Sequence, residues 1–138
     1  MMDIELAKRY LEEKRLAIAV VKDGKLIFRS QDRGIKPMYI LASQMKEQIK
    51  GSSVADRVIG KAAAMLSIYL EVKEVYGKLM SNKAVEILLE NNIPYSYDDL
   101  SPYIENRDRT DICPVEKIAL KAQTPEEFLA HLKEFLGY

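Results

Sequence analysis

The chain has 138 residues, 48% of them hydrophobic, and its 21 basic residues balance 21 acidic ones to a formal net charge of zero. This size and composition predict a single packed domain over residues 1–138. The neutral charge gives no reason to expect a nucleic-acid or membrane partner. One Cys and one His exclude an intramolecular disulfide and a four-ligand Cys/His zinc site within one chain. Acidic residues interrupt the N-terminal segment, so we expect no secretory signal and a cytoplasmic location.

The first third of the chain predicts a helix, a hairpin and a second helix. Residues 3–14 carry apolar side chains at helical spacing, with Asp3 as the N-cap. Two apolar runs joined through Asp-Gly are a strong hairpin signal, which places strands at about 16–22 and 25–30. Apolar residues then recur on one face of a predicted helix over 38–50.

The middle of the chain predicts a long central helix followed by shorter elements. Residues 54–69 read as this helix, because Ser52 or Ser53 can cap it and Asp56 would stand in its first turn. Its three consecutive alanines predict close packing in the core. The elements expected next are a strand at 74–80, a helix at 83–90 and a short strand at 93–97.

The C-terminal part begins with a polar segment, 98–112, which is predicted to be a long irregular loop. Cys113 then becomes the N-cap of a helix that ends near residue 122, and a final helix begins after Thr124. A hairpin followed by alternating helices and strands predicts a mixed sheet of four to five strands with helices on both faces, a three-layer α/β/α sandwich. Ligands in such folds bind at the carboxyl ends of strands, so we expect a site where helices start near Ser53, Ser81 and Cys113.

Cys113 is the first candidate for chemistry. A thiol at a helix N-terminus is more readily ionised because the helix dipole favours the thiolate, and the thiolate is the nucleophilic form. Glu116, one turn later, opposes that effect if it is ionised and close. The alternative is structural: Cys113-Pro-Val-Glu116 is a good helix start, with Glu116 in a capping-box position.

Asp56 and Lys61 form the second candidate. Gly60-Lys61 invites comparison with the phosphate-binding pattern G-x-x-x-x-G-K-[ST], but Ala55 replaces its first glycine and Ala62 its hydroxyl residue. We therefore reject that motif. Asp56 and Lys61 either line a pocket or are an ordinary first-turn charge and a solvated lysine.

The polar segment and its border supply the third candidate. Tyr97 and Arg107 would suit a planar or phosphorylated ligand if this segment covers a site. A solvated loop or a dimer contact is the alternative.

Three segments in this order resemble the cytidine-deaminase-like superfamily and, within it, a small family of uncharacterised function. They are Val20-Val-Lys-Asp-Gly-Lys-Leu-Ile27, Ser53-Val-Ala-Asp-Arg-Val-Ile-Gly-Lys-Ala62 and Cys113-Pro-Val-Glu116. The resemblance covers roughly residues 16–122 and implies the superfamily's three-layer fold. Zinc deaminases carry His or Cys, a small residue and Glu at one helix start, and Pro-Cys-x-x-Cys at the next.

In this sequence the first zinc motif aligns with Asp56-Arg57-Val58, where valine replaces the essential glutamate. The following helix opens with Ser81-Asn82-Lys83-Ala84, which has no thiol. Cys113 and Glu116 have the spacing of the second motif, but they open one helix later. The resemblance therefore implies the fold without zinc-dependent deamination, and we expect no metal and no cofactor.

Two hypotheses follow. The first is a binding module that takes a small, nucleotide-like ligand, without nucleic-acid or membrane partners and with a possible homodimer. The alternative is a divergent, metal-independent enzyme. For the enzyme, the expected catalytic residues are Cys113 as the nucleophile with Asp56 or Lys61 assisting. For the binding module, the expected ligand-binding residues are Ser81, Asn82, Glu116, Tyr97 and Arg107.

Overall fold

The protein is described here by a computed structural model that covers residues 1–106 and 108–138. Within those residues the chain forms seven helices and five strands. The helices are α1 Asp3–Glu13, α2 Lys36–Gln44, α3 Lys46–Ile49, α4 Lys61–Tyr69, α5 Asn82–Glu90, α6 Pro114–Lys121 and α7 Pro125–Leu136. The strands are β1 Ile18–Lys22, β2 Lys25–Ser30, β3 Ser53–Ile59, β4 Glu74–Ser81 and β5 Tyr95–Ser101. No helix of the described ranges combines the length and apolar character needed to cross a membrane.

The five strands make one mixed sheet in the order β2-β1-β3-β4-β5. Strand β1 is antiparallel to both β2 and β3, whereas β3, β4 and β5 run parallel to one another. Helix α1 covers one face of the sheet. The other face is covered by the central helix α4, which is surrounded by α2, α5, α6 and α7. The predicted three-layer α/β/α sandwich is confirmed.

Alternation along the central strands sorts the core into two layers. Val20 and Val54 face the larger hydrophobic cluster beneath α4, while Ala19 and Ala55 face the smaller cluster beneath α1. Successive side chains of a strand point to opposite faces, so each buried strand supplies both clusters. The alanines of α4 are buried, as their small size predicts, and they let this helix lie close to the sheet.

The predicted helix over 54–69 is wrong in its first half. Residues 53–59 form the central strand β3, Gly60 is the N-cap, and α4 begins at Lys61. The segment pairs with β1 on one side and with β4 on the other, and this pairing outweighs its helical spacing. Asp56 consequently lies on a strand, and Ser53 does not cap a helix.

Other boundaries also differ from the predicted ones. The helix expected over 38–50 is broken at Met45 into α2 and α3. Part of the expected loop 98–112 continues the edge strand β5 as far as Ser101, because it pairs with β4 in parallel register. Met2 rather than Asp3 is the N-cap of α1. The Asp3 carboxylate instead accepts hydrogen bonds from the backbone N–H groups of the hairpin turn.

Candidate functional site

A cavity of about 460 Å³ opens at the carboxyl end of β3. Its volume lies within the range of roughly 300–1,000 Å³ that is typical of small-molecule sites. The walls come from the turn after α1, the segment after β2, the end of β3 and the starts of α2, α4 and α6. The lining residues are Arg15, Leu16, Ala17, Gln31, Arg33, Gly34, Ile35, Asp56, Arg57, Val58, Gly60, Ala62, Ala63, Ile104, Cys113, Val115 and Glu116.

Asp56 is a half-buried carboxyl on the cavity wall. Its Oδ1 accepts a hydrogen bond of 3.1 Å from the backbone N–H of Val58. Burial raises the pKa of Asp56 to about 7, against the opposing effect of backbone hydrogen bonds and of the Arg57 charge. Near neutral pH the side chain therefore exists in both protonation states, and it can donate or accept a hydrogen bond.

Glu116 is buried and lines the same cavity as Asp56, but its carboxylate already accepts two hydrogen bonds. One oxygen accepts from the backbone N–H of Lys61 at 2.7 Å, and the other accepts from that of Ala62 at 2.8 Å. Burial raises the pKa of Glu116, whereas these two N–H groups and the Lys61 charge oppose the rise. Glu116 therefore caps α4 from a different element. The capping-box role predicted within its own helix is wrong.

Gly60 makes that cap possible. A Cβ at this position would overlap the Glu116 carboxyl group and approach the Ile104 side chain to 2.8 Å. The absence of a side chain at Gly60 lets the carboxylate reach the first two N–H groups of α4. These groups have no partner within their own helix, so they need an acceptor from elsewhere.

Arg57 lines the cavity but is held by other groups. Its Nε donates to the carbonyl of Leu16 at 2.6 Å, and Nη2 donates to that of Leu11 at 3.0 Å. Nη1 lies 3.6 Å from a carboxylate oxygen of Glu12. The guanidinium thus ties β3 to the end of α1, which leaves it little capacity to contact a ligand.

The cavity brings together three of the predicted site residues, namely Asp56, Cys113 and Glu116. Four others do not belong to its lining. Lys61 contributes its backbone N–H to the Glu116 cap, and Ser81 is buried with its hydroxyl capping α5. Asn82 and Tyr97 are exposed on elements that follow β4, away from the β1–β3 side of the sheet. Arg107 lies outside the described residues.

Sequence reasoning missed Arg15 and Arg33, which are exposed residues of the cavity lining. Arg15 lies in the turn after α1 and Arg33 in the irregular segment between β2 and α2, and neither segment has a periodic sequence pattern. The antiparallel pairing of β1 with β3 brings the start of one strand beside the end of the other and so carries Arg15 to the site. A prediction of residues 53–59 as a strand next to β1 would have placed Arg15 at the site.

The zinc-motif alignment on Asp56-Arg57-Val58 is also wrong, since that motif must open a helix and these residues lie on β3. Among residues 1–106 and 108–138, no group of three or more His, Cys, Asp or Glu side chains is placed to hold a metal ion. The single histidine, His131, is exposed on α7 and does not belong to the cavity lining.

Two comparisons place the chain beside known proteins. The family described as "TM1506: Domain of unknown function (DUF1893)" matches residues 6–136. A crystal structure of a DUF1893 family protein (TM1506) from Thermotoga maritima is similar, with a TM-score of 0.88 and 29% sequence identity. That similarity covers 96% of this chain and 89% of the other. Among curated proteins, no sequence matches the chain.

Proposed function

The chain belongs to the DUF1893 family, a domain of unknown function, and on that premise we propose that it binds a small, nucleotide-like ligand in the cavity at the end of β3. The observation that carries this proposal is Asp56, a carboxyl that titrates near neutral pH on the wall of a formed cavity. Perturbed titratable groups in a cavity of this size are typical of binding sites.

The lining supports a ligand with a flat, weakly polar part. Ile35, Ala62, Ala63 and Val115 present apolar surface, which can pack against the faces of a planar ring. Asp56 can accept a hydrogen bond from a ring N–H when ionised and donate one when protonated. A nucleobase offers both a planar face and such edge groups.

The proposal includes a cytidine-deaminase-like scaffold that has lost its zinc site. In its support, a hairpin precedes alternating helices and strands, and Cys113 and Glu116 lie at the cavity. The Glu116 carboxylate is occupied in capping α4. Cytoplasmic location, a possible homodimer and the exclusion of nucleic-acid and membrane partners stay predictions from the sequence.

A thermal-unfolding screen tests ligand binding. The panel contains nucleosides, nucleoside 5′-monophosphates and related metabolites, with ribose 5-phosphate as the control that lacks a base. A ligand present at a hundredfold excess over its Kd adds about 2.7 kcal/mol of stability. For a chain of this length we expect a rise of about 8 °C in Tm. If the whole panel leaves Tm unchanged, the proposed function is wrong.

The alternative is a metal-independent enzyme in which Cys113 is the nucleophile and Asp56 or Lys61 assists. In its favour, Cys113 lines the same cavity as Asp56, and a carboxylate that titrates near neutral pH can accept a proton from a reacting group. Lys61 is not part of the described lining, so Asp56 is the better candidate for this role.

Alkylation of Cys113 distinguishes the two functions. An activated thiol should react with iodoacetamide at pH 7 about tenfold faster in the folded protein than in the urea-unfolded protein. The unfolded chain is a matched control because Cys113 is its single cysteine. A folded-state rate equal to or below the unfolded rate would count against the enzyme and leave the binding function standing.

A further inference from the structure

The charged side chains of the cavity lining differ in whether other groups of the protein already bind them. Arg57 donates to two backbone carbonyls, and Glu116 accepts from two backbone N–H groups. The side chains of Arg15 and Arg33 are exposed, and neither forms an ion pair with another described residue. The cavity lining therefore holds two arginine side chains without an ion pair among the described residues, against one carboxyl, Asp56, that does not cap a helix.

Two helices add to this positive character. Helices α2 and α6 begin at the cavity, and their N-cap residues, Ile35 and Cys113, make no side-chain capping hydrogen bond. By contrast, the start of α4 is capped by Glu116, and that of α5 is capped by Ser81. Helix N-termini carry a partial positive charge that favours an anion nearby.

Arg15 also occupies an unfavourable backbone position. It follows α1 in the left-handed region, with a φ of 51°. Its N–H donates to the carbonyl of Glu12, and the N–H of Leu16 donates to that of Leu11, which together form a Schellman motif. Glycine is the residue that this position favours, since it adopts such a φ without a steric cost. The chain has an arginine there, in the lining of the cavity.

Resting on the proposed function, we infer that the cavity recognises a phosphate monoester, with the phosphate held at the mouth by Arg15 and Arg33 and the ring inside against Asp56. Guanidinium groups donate paired hydrogen bonds that match phosphate oxygens. The ligand class is thus a nucleoside monophosphate rather than a nucleoside.

Calorimetric titration with the four ribonucleoside 5′-monophosphates and the four matching nucleosides tests this inference. We expect the best monophosphate to bind at least about tenfold more tightly than its nucleoside, with an affinity that falls as salt rises. Arg15→Gly and Arg33→Ala should each weaken binding of the monophosphate about tenfold and leave that of the nucleoside unchanged. Arg29→Ala, which removes an exposed arginine outside the cavity lining, is the control and should change neither.

Weaker binding by Arg15→Gly could not be explained by unfolding. Glycine removes the steric strain of the left-handed backbone at this position, so the variant should be at least as stable as the parent. If nucleoside and monophosphate bind equally, or if both arginine variants bind like the parent, the phosphate assignment is wrong while the proposed function stands. If no member of either set binds, both are wrong.

Discussion

Replacing Asp56 with Asn should stabilise the protein at pH 8 by about 2–4 kcal/mol, because asparagine keeps the shape of the side chain without its buried charge. In the folded protein the pKa of Asp56 is raised from 3.8 to about 7. The unfolded chain therefore loses this proton near pH 4 and the folded protein near pH 7. Stability falls as the pH rises through that window, since the folded state binds more protons there. Below pH 4 the carboxyl is protonated in both states, and the advantage of the variant should vanish.

Urea unfolding at pH values from 4 to 8 measures this difference directly. Asp99→Asn is the matched control, because Asp99 is exposed on the edge strand β5 and lies outside the cavity lining. A parallel pair of stability curves for the parent and Asp56→Asn would contradict the raised pKa. A stabilised variant that no longer binds the ligand would identify Asp56 as a residue whose charge opposes folding but serves binding.

Gly60→Ala should destabilise the protein by about 3 kcal/mol, because the added methyl group overlaps the Glu116 carboxyl. The carboxylate must then leave the N–H groups of Lys61 and Ala62, which it holds at 2.7 and 2.8 Å. One partly buried and one buried N–H donor would lose their acceptor at the start of the central helix. Urea unfolding at pH 7 gives the change in the free energy of unfolding.

A double-mutant cycle with Glu116→Ala tests whether the cap is the cause. Glu116→Ala alone should cost about 2 kcal/mol, and the double variant should cost less than the sum of the single ones by at least about 1.5 kcal/mol. Gly77→Ala is the control, since its Cβ would meet Ile59 at 2.8 Å rather than Glu116. Its cost should simply add to that of Glu116→Ala. Additive costs for Gly60→Ala as well would contradict the role of Gly60 in the cap.

Local signals in the sequence were sufficient for much of the fold. The Asp-Gly hairpin, the Cys113 N-cap of α6 and the start of α7 after Thr124 each follow from residues close together in the chain. The strand β3 could not be predicted in this way. Its small and apolar residues fit a helix equally well by spacing, and only its pairing with β1 and β4 decides between the two.

The site was less predictable than the fold for the same reason. Cys113 followed from the rule that ligands bind beside helix starts, and it does line the cavity. That rule also selected Ser81, which is buried as a helix cap. Glu116 has a cap partner 54 positions away, and Arg15 reaches the site through antiparallel pairing, so neither arrangement leaves a local pattern.

Binding in the cavity at the end of β3 is the central claim, and amide chemical-shift mapping with the best monophosphate from the panel tests it most directly. The account predicts saturable shifts concentrated at the lining, above all at Asp56, Ala62 and Cys113, with little change along the distant edge strand β5. A map without saturable shifts, or one whose shifts cluster away from the cavity, would contradict it.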